Sequence, residues 1–383
     1  MNAPRGPLAG VRVVEMAGIG PGPFAGMLLA DLGAEVILIE RPVKPGDPLD
    51  LGPNNICNRG KRSICLDLKN PNAVDLVLGL VSSADALIEG MRPGVMERLG
   101  LGPDVCLTRQ PKLVYGRMTG WGQAGPLAQT AGHDINYIAR SGAMWFSSQA
   151  NQAPLPPPTL VGDVGGGALY LALGLVAGVL HARAGGAGQV VDAAIVDGSA
   201  HLMNLVLSLH AAGRMPVQRG GGLLDGPWWY GTYRCADGRW LSIGALEAQF
   251  NAELLQRLGA VGDPAFARPY DPLGWPLGRE RMATIIAGRS CDEWCRVFDG
   301  SDACVAPVLD PREAAQDPQL RARGTYVERD GVHQAAPAPR FSGFAPEVAA
   351  VPRRGADWQA IVEQAGFAAR SAEEILALGV IPS

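Results

Sequence analysis

Residues 10–41, GVRVVEMAGIGPGPFAGMLLADLGAEVILIER, decide the fold. Residues 11–16 form a short β-branched run, and residues 18–23 are a glycine/proline turn. Residues 24–32 carry apolar side chains at helical spacing and are closed by Gly33, and 35–41 form a second β-branched run. Strand, glycine-rich turn, helix, strand is the unit of a doubly wound parallel sheet, so the chain is expected to be α/β with a Rossmann-like large domain.

Working outward, further strands are expected at 86–89 and 113–117, and again at 189–195. A proline-rich tract at 154–158 leads to an apolar stretch, 168–180, whose thirteen residues are too few for the roughly 20 that span a bilayer; it reads as a buried helix. A helix at 197–210 precedes the glycine-rich linker 219–222. Beyond it, 228–247 alternates as a β-hairpin around 236–238, followed by helices at 248–258 and 291–298. The tail after 335 is proline-rich and ends in a short helix around 372–378. The expected division is a large domain over 1–200 completed by 335–383, a linker helix and loop over 201–224, and a smaller α+β domain over 225–334.

The bulk numbers agree with two domains: 383 residues, 47% hydrophobic and only 18% charged, are enough for a sizeable core. Lys plus Arg at 33 against Asp plus Glu at 37 gives −4, which argues against nucleic acid as the main partner. Any anionic ligand must be met by a local cluster. Seven scattered cysteines without a CxxC, and a start resembling neither a signal nor a transit peptide, point to the cytoplasm, with no membrane partner.

The turn Gly18-x-Gly20-x-Gly22 misses the GxGxxG spacing of a dinucleotide site, because Pro21 and Pro23 intrude. At the end of the second strand, where an acid usually binds ribose hydroxyls, Glu40 is followed at once by Arg41, which suits a ribose phosphate. Arg59, Lys61 and Arg62 form a basic cluster, and Arg92 opens another loop. Read from composition these are solvated surface charges; read functionally they bind a phosphorylated adenosine such as coenzyme A. NAD is the less favoured ligand.

Two short polar motifs interrupt the small-residue sequence, GHDINY around His133 and GDVGGG around Asp163. An imidazole and a carboxylate facing each other across a carbon are what a cofactor-free proton-swapping enzyme requires. Asp163 precedes three glycines and an apolar helix, so it is expected either to cap that helix or to work beside its unpaired amides, which could hold an enolate oxygen. Glu247 is a third candidate, able to orient the His133 ring if the two meet. Cys291 and Cys295 have helical metal-like spacing, but no further ligands converge, so they read as packing.

These motifs, with NRGKRSICLDLK, EGMRPGVMERLGLGP, YGRMTGWGQAGP, GQVVDAAIVDG and TYRCADGRWLSIGALEAQF, resemble family III CoA-transferase fold proteins of the α-methylacyl-CoA racemase branch. The resemblance covers nearly the whole chain, and GHDINY points to the racemases. It implies racemisation of a 2-methylacyl-CoA thioester through an enolate, with coenzyme A as part of the substrate and no separate cofactor. His133 and Asp163 would be the two acid/base groups and Glu247 the acid supporting the histidine. Tyr137, Thr159 and Gly162 would have supporting places, and Arg41, Arg59, Lys61, Arg62 and Arg92 would contact coenzyme A. The family's interlocked homodimer would bring Glu247 from the partner subunit.

Two departures stand out. Thr159 occupies a place where the family often has asparagine. Trp228, Trp229 and Tyr230 replace a segment near the acyl site, so an altered acyl pocket is expected there. The competing readings are a family III CoA-transferase with Asp163 as nucleophile and a catalytically silent acyl-CoA-binding protein.

Overall fold

The run at 11–16 is strand β1 (Arg12–Met16), and the turn after it opens helix α1 (Pro21–Asp31) in the computed structural model. The structure describes residues 6–42, 47, 50–367 and 371–381. The extreme ends of the expected large domain, 1–5 and 382–383, lie outside the described residues. Gly20 enters α1 with φ at +68°, open to glycine and strained for other residues, and Pro21 supplies the preset first helical position.

β2 (Glu35–Glu40), β3 (Arg62–Cys65), β4 (Ala86–Glu89), β5 (Val114–Thr119) and β6 (Gln189–Ala194) join β1 in one six-stranded sheet, ordered β3-β2-β1-β4-β5-β6. Every pairing is parallel. The inner strands are buried on both faces, which is why they read as unbroken apolar runs. Val13 and Val14, or Val114 and Tyr115, point to opposite faces and serve two separate cores.

One core gathers Val14, Ile37, Leu87 and Tyr115 beneath helix α2 (Pro71–Val81) and the helix Trp358–Gln364. The other gathers Val13, Val36, Ile88 and Val114 beneath α1 and the later helix containing Leu171 and Leu175. β3 and α2 were not foreseen. Arg62 and Ser63 interrupt the apolar run of β3, while α2 begins at Asn70, which accepts the Asn72 N–H at 3.0 Å.

Helix α3 (Asp134–Ser141) follows β5, and then a π-helical stretch, Leu160–Ala168, runs without a break into α4 (Leu169–Arg183). The helix is therefore longer than the thirteen residues expected: Leu160–Arg183 spans 24 residues, enough by length and composition to cross a bilayer. Its apolarity has a local cause, since Leu171, Ala172, Leu175 and Val179 pack on the sheet. The expectation of a buried helix holds for that face only, because Leu169, Leu173 and Leu180 are exposed.

The chain divides into two units: Met1–Ala143, Pro156–Leu202 and Gly324–Ser383 form one, and Met144–Leu155 with Met203–Arg323 the other. The expected linker 201–224 thus belongs mostly to the second unit, as do residues 144–155. Residues 324–334 belong to the first, whose hairpin of Tyr326–Arg329 and Val332–Ala335 is tied down by Arg59 bonds to Gln334 and Ala335 at 2.8 Å. The expected helix over 197–210 is two helices, Ile195–Leu202 and Asn204–Ala211, parted where the units divide. The second unit has an antiparallel sheet of β7 (Tyr230–Arg234), β8 (Trp240–Gly244) and β9 (Val305–Pro307), in that order, and a core of its own.

Candidate active site

The strand order reverses between β1 and β4, and in such sheets the crevice beyond the carboxyl ends at that point is the natural binding place. The Gly18–Gly20 turn leaves β1 there, Arg92 follows β4, and Gly120 and Trp121 follow β5. Asp163 comes to this end as well: a methyl group built on Gly20 would lie 3.2 Å from Asp163 Oδ2.

Glycines let the Asp163 segment come so close. A methyl on Gly166 would lie 2.4 Å from Ser199 Oγ, and one on Gly162 would lie 2.3 Å from Asp134 Oδ1. Asp163 lies inside a π-helical turn and not at a helix cap, which corrects the capping expectation. Single π-turns are frequent at functional sites. The Asp163 N–H donates to Asp134 Oδ1 at 2.8 Å, and the Val164 N–H donates to the Thr159 carbonyl at 3.0 Å. These two amides are therefore already engaged and have no free proton for an enolate.

α3 carries the second acid/base candidate. His133 precedes the helix as its cap residue and is exposed, its own N–H donating to Asn136 Oδ1 at 3.0 Å. The first amides of α3, those of Asp134 and Ile135, have no intrahelical acceptor by position and point out of the helix start. Among the described residues neither amide is seen to meet an acceptor.

Electrostatics tie the groups together. Burial lifts the Asp163 carboxyl from 3.8 to about 6, the neighbouring Asp134 charge adds to the rise, and His133 opposes it. Burial likewise raises the Tyr137 phenol, with Asp163 pushing the same way and Arg92 against. Tyr137 donates its hydroxyl proton to the Gly132 carbonyl and meets the edge of Trp121 at 4.7 Å between ring centroids. Asp163, Asp134, His133, Tyr137 and Arg92 thus form one interacting group.

Thr159 stands at φ +59°, a left-handed backbone that costs a β-branched residue and that asparagine adopts more readily. Its hydroxyl holds nothing among the described residues; its carbonyl, through Val164, is what anchors the turn.

A cleft of about 890 Å³ opens next to this group, lined by Gly18, Ile19, Glu40, Arg41, Arg353 and Arg354, among others. Arg41 is exposed there. Arg59 and Lys61 are not. Arg59 is buried, bonded to both Asp31 oxygens at 3.0 and 2.6 Å; Lys61 gives its three protons to Glu15 (2.7 Å), the Pro23 carbonyl (3.0 Å) and Asn58 (3.3 Å). Lys61 has no proton left for coenzyme A, and Arg59 is buried with four of its five protons bonded inside the protein; both are structural cations, which corrects that expectation. Arg62 is half-buried and bonded to Glu35 and Gln364.

The second unit holds the other expected residues. Trp228 and Trp229 are fully buried in its core, against Phe266 at 4.4 Å and bonded to the Pro269 carbonyl at 2.8 Å respectively. They are core residues and not pocket walls; only Tyr230 is exposed. The place of this segment in the family pattern implied a pocket, but large flat indoles suit a core equally well. Glu247 is exposed at the start of the helix Ala248–Leu258. Among the described residues no group of three His, Cys, Asp or Glu side chains converges as a metal would need, and Cys291 is packed in the core. Sequence reasoning missed Arg353; the adjacent pair Arg353-Arg354 in a proline- and glycine-flanked loop was the available signal.

The sequence profile of CoA-transferase family III matches residues 8–358. An α-methylacyl-CoA racemase of Mus musculus is 40% identical over 97% of this chain and 96% of its own. One of Homo sapiens is 38% identical over the same shares, 97% and 96%. The crystal structure of a CAIB/BAIF family protein from Brucella suis superposes with a TM-score of 0.77 at 26% identity, covering 94% of this chain and 98% of that one. On this profile match and these relatives the chain belongs to CoA-transferase family III, in the α-methylacyl-CoA racemase branch.

Proposed function

We propose that this isomerase interconverts (R)- and (S)-2-methylacyl-CoA thioesters by moving one proton off, and one proton onto, the carbon beside the thioester carbonyl. The observation that carries the reading is the Asp163 carboxyl, lifted to about 6 by burial and by Asp134, lying within the electrostatic reach of His133. A base poised near the working pH is the most effective, and each such group typically contributes ~10²–10⁴-fold.

In one direction Asp163 takes the α-proton, the electron pair passes into the thioester carbonyl, and His133 in its protonated form delivers a proton to the other face. The reverse direction exchanges the roles. The developing enolate oxygen fits the free amides at the start of α3, where the positive end of the helix dipole also lies. Neither step needs a metal or redox cofactor. Arg41 and Arg92 are assigned to the phosphates of the coenzyme, and Tyr137 to packing the reacting end against Trp121.

The exposed Leu169, Leu173 and Leu180 support a second copy of the chain as the cover of α4, hence a homodimer. Glu247 of the partner subunit is then assigned to steadying the His133 imidazole, on the strength of the family resemblance. All seven cysteines are free thiols, which favours a cytoplasmic setting.

The test is α-deuterium incorporation from heavy water into single enantiomers of a panel of 2-methylacyl-CoA thioesters. Exchange with parallel loss of optical purity is expected, and each of His133→Ala and Asp163→Ala should suppress racemisation. Absence of exchange across the panel, or a covalent coenzyme A adduct on Asp163 trapped by hydroxylamine, would replace this reading with the transferase one.

A further inference from the structure

We infer that Arg353 is a specificity-determining contact of the cleft and reads a phosphate monoester on the ribose of the bound thioester. The inference rests on the acyl-CoA reading above and adds to it a residue from the far end of the chain.

The cleft's charges lead to it. Glu40 stands at the end of β2, where an acid commonly binds ribose hydroxyls. Here that carboxylate is already taken: it accepts the Ser63 hydroxyl proton and the Arg354 Nε proton, the latter at 3.1 Å. Arg354 also donates to Asp50 at 2.9 Å, so one guanidinium neutralises two of the lining acids. Asp47 lines the cleft too and has an interaction of its own. Arg41 and Arg353 remain, both exposed and neither bonded through its guanidinium among the described residues. A ribose arriving here therefore meets cations in place of a hydroxyl acceptor, which favours a phosphorylated ribose over a bare one.

Arg353 is also held in place. The Gly60 N–H donates to the Ala350 carbonyl at 3.0 Å on one side of it. On the other, the Gly355 N–H donates to Ser63 Oγ at 2.7 Å, and the Ser63 N–H donates to Asp357 at 2.8 Å. The backbone carrying the side chain is thus stapled to β3 and its approach, while the side chain itself is free to bind.

Calorimetric titration of the full-length protein with coenzyme A and with 3′-dephospho-coenzyme A tests the assignment. The wild type should prefer coenzyme A by about 10–100-fold, as expected for charge-assisted contacts to a phosphate. Arg353→Ala should lose most of that preference by weakening coenzyme A alone, and Arg353→Lys should restore part of it. Thermal melting should be unaltered, because the side chain is exposed. Equal weakening of both ligands, or no weakening of either, overturns the assignment to Arg353 and leaves the acyl-CoA reading intact. A wild type that binds neither ligand overturns both.

Discussion

Replacing Asp134 by asparagine should shift the pH dependence of proton exchange while leaving the architecture in place. Asp134 Oδ1 accepts the Asp163 N–H at 2.8 Å, and the asparagine oxygen can keep that bond. What disappears is a negative charge next to a carboxylate. The Asp163 carboxyl stands at about 6 against an ordinary 3.8, with burial the largest cause and Asp134 the second. Burial survives the substitution, so the group should settle between those limits.

The assay is initial deuterium wash-in as kcat/KM against pH, measured separately from each enantiomer. The acid limb belonging to Asp163 should move down from about 6 while staying above 3.8. The plateau should fall severalfold, since a weaker base removes the same proton less readily. Asp134→Ala, which also removes the acceptor, should lower the plateau further. If the acid limb of Asp134→Asn stays put or moves upward for both enantiomers, Asp163 is not the titrating base and the reasoning fails.

Three further outcomes follow from the same geometry. Because the folded Asp163 pKa lies above its ordinary value, the unfolded chain binds fewer protons between 3.8 and about 6, and stability falls as pH rises through that window. Asp163→Asn should therefore raise Tm at pH 7 while abolishing racemisation, with the gain shrinking toward pH 4; a gain independent of pH would contradict this. Arg59→Ala strands the buried Asp31 carboxylate and should cost about 3–5 kcal/mol by denaturant unfolding, without changing coenzyme A affinity of the folded protein. Trp228→Ala should cost about 3–5 kcal/mol and leave acyl preference unchanged; a changed preference would return Trp228 to the pocket.

The sheet was legible because its strands advertise themselves. Val13, Val36 and Ile88 belong to runs buried on both faces, and the Gly20 turn sits where only a strand-to-helix switch would put it. β3 escaped notice because its cohesion is polar and distant: Ser63 bonds to Asp357 and Arg62 to Gln364, partners some 300 positions away that no local pattern announces.

Within the candidate site, residue type singled out Asp163 and His133, but their surroundings did not follow from it. Nothing in the spacing of GDVGGG distinguishes a capping carboxylate from one inside a π-turn whose amide is held by Asp134. The same ambiguity misled on the basic cluster. An arginine or lysine in sequence is equally a phosphate ligand or a buried counter-ion, and only Asp31 and Glu15, folded against Arg59 and Lys61, decide between them.

Arg59 reaching Gln334, Glu40 reaching Arg354 and Arg62 reaching Gln364 have a bearing on how the protein is made. A ribosome delivers the acids and cations of β1–β3 long before it delivers their distant counterparts. Until residues beyond 324 emerge, the early strands lack the bonds that close one side of the sheet. The first unit must then wait in an unfinished form while the second is synthesised and free to fold. A stop codon near residue 340 would spare His133 and Asp163 yet deprive the newborn sheet of its last stitches.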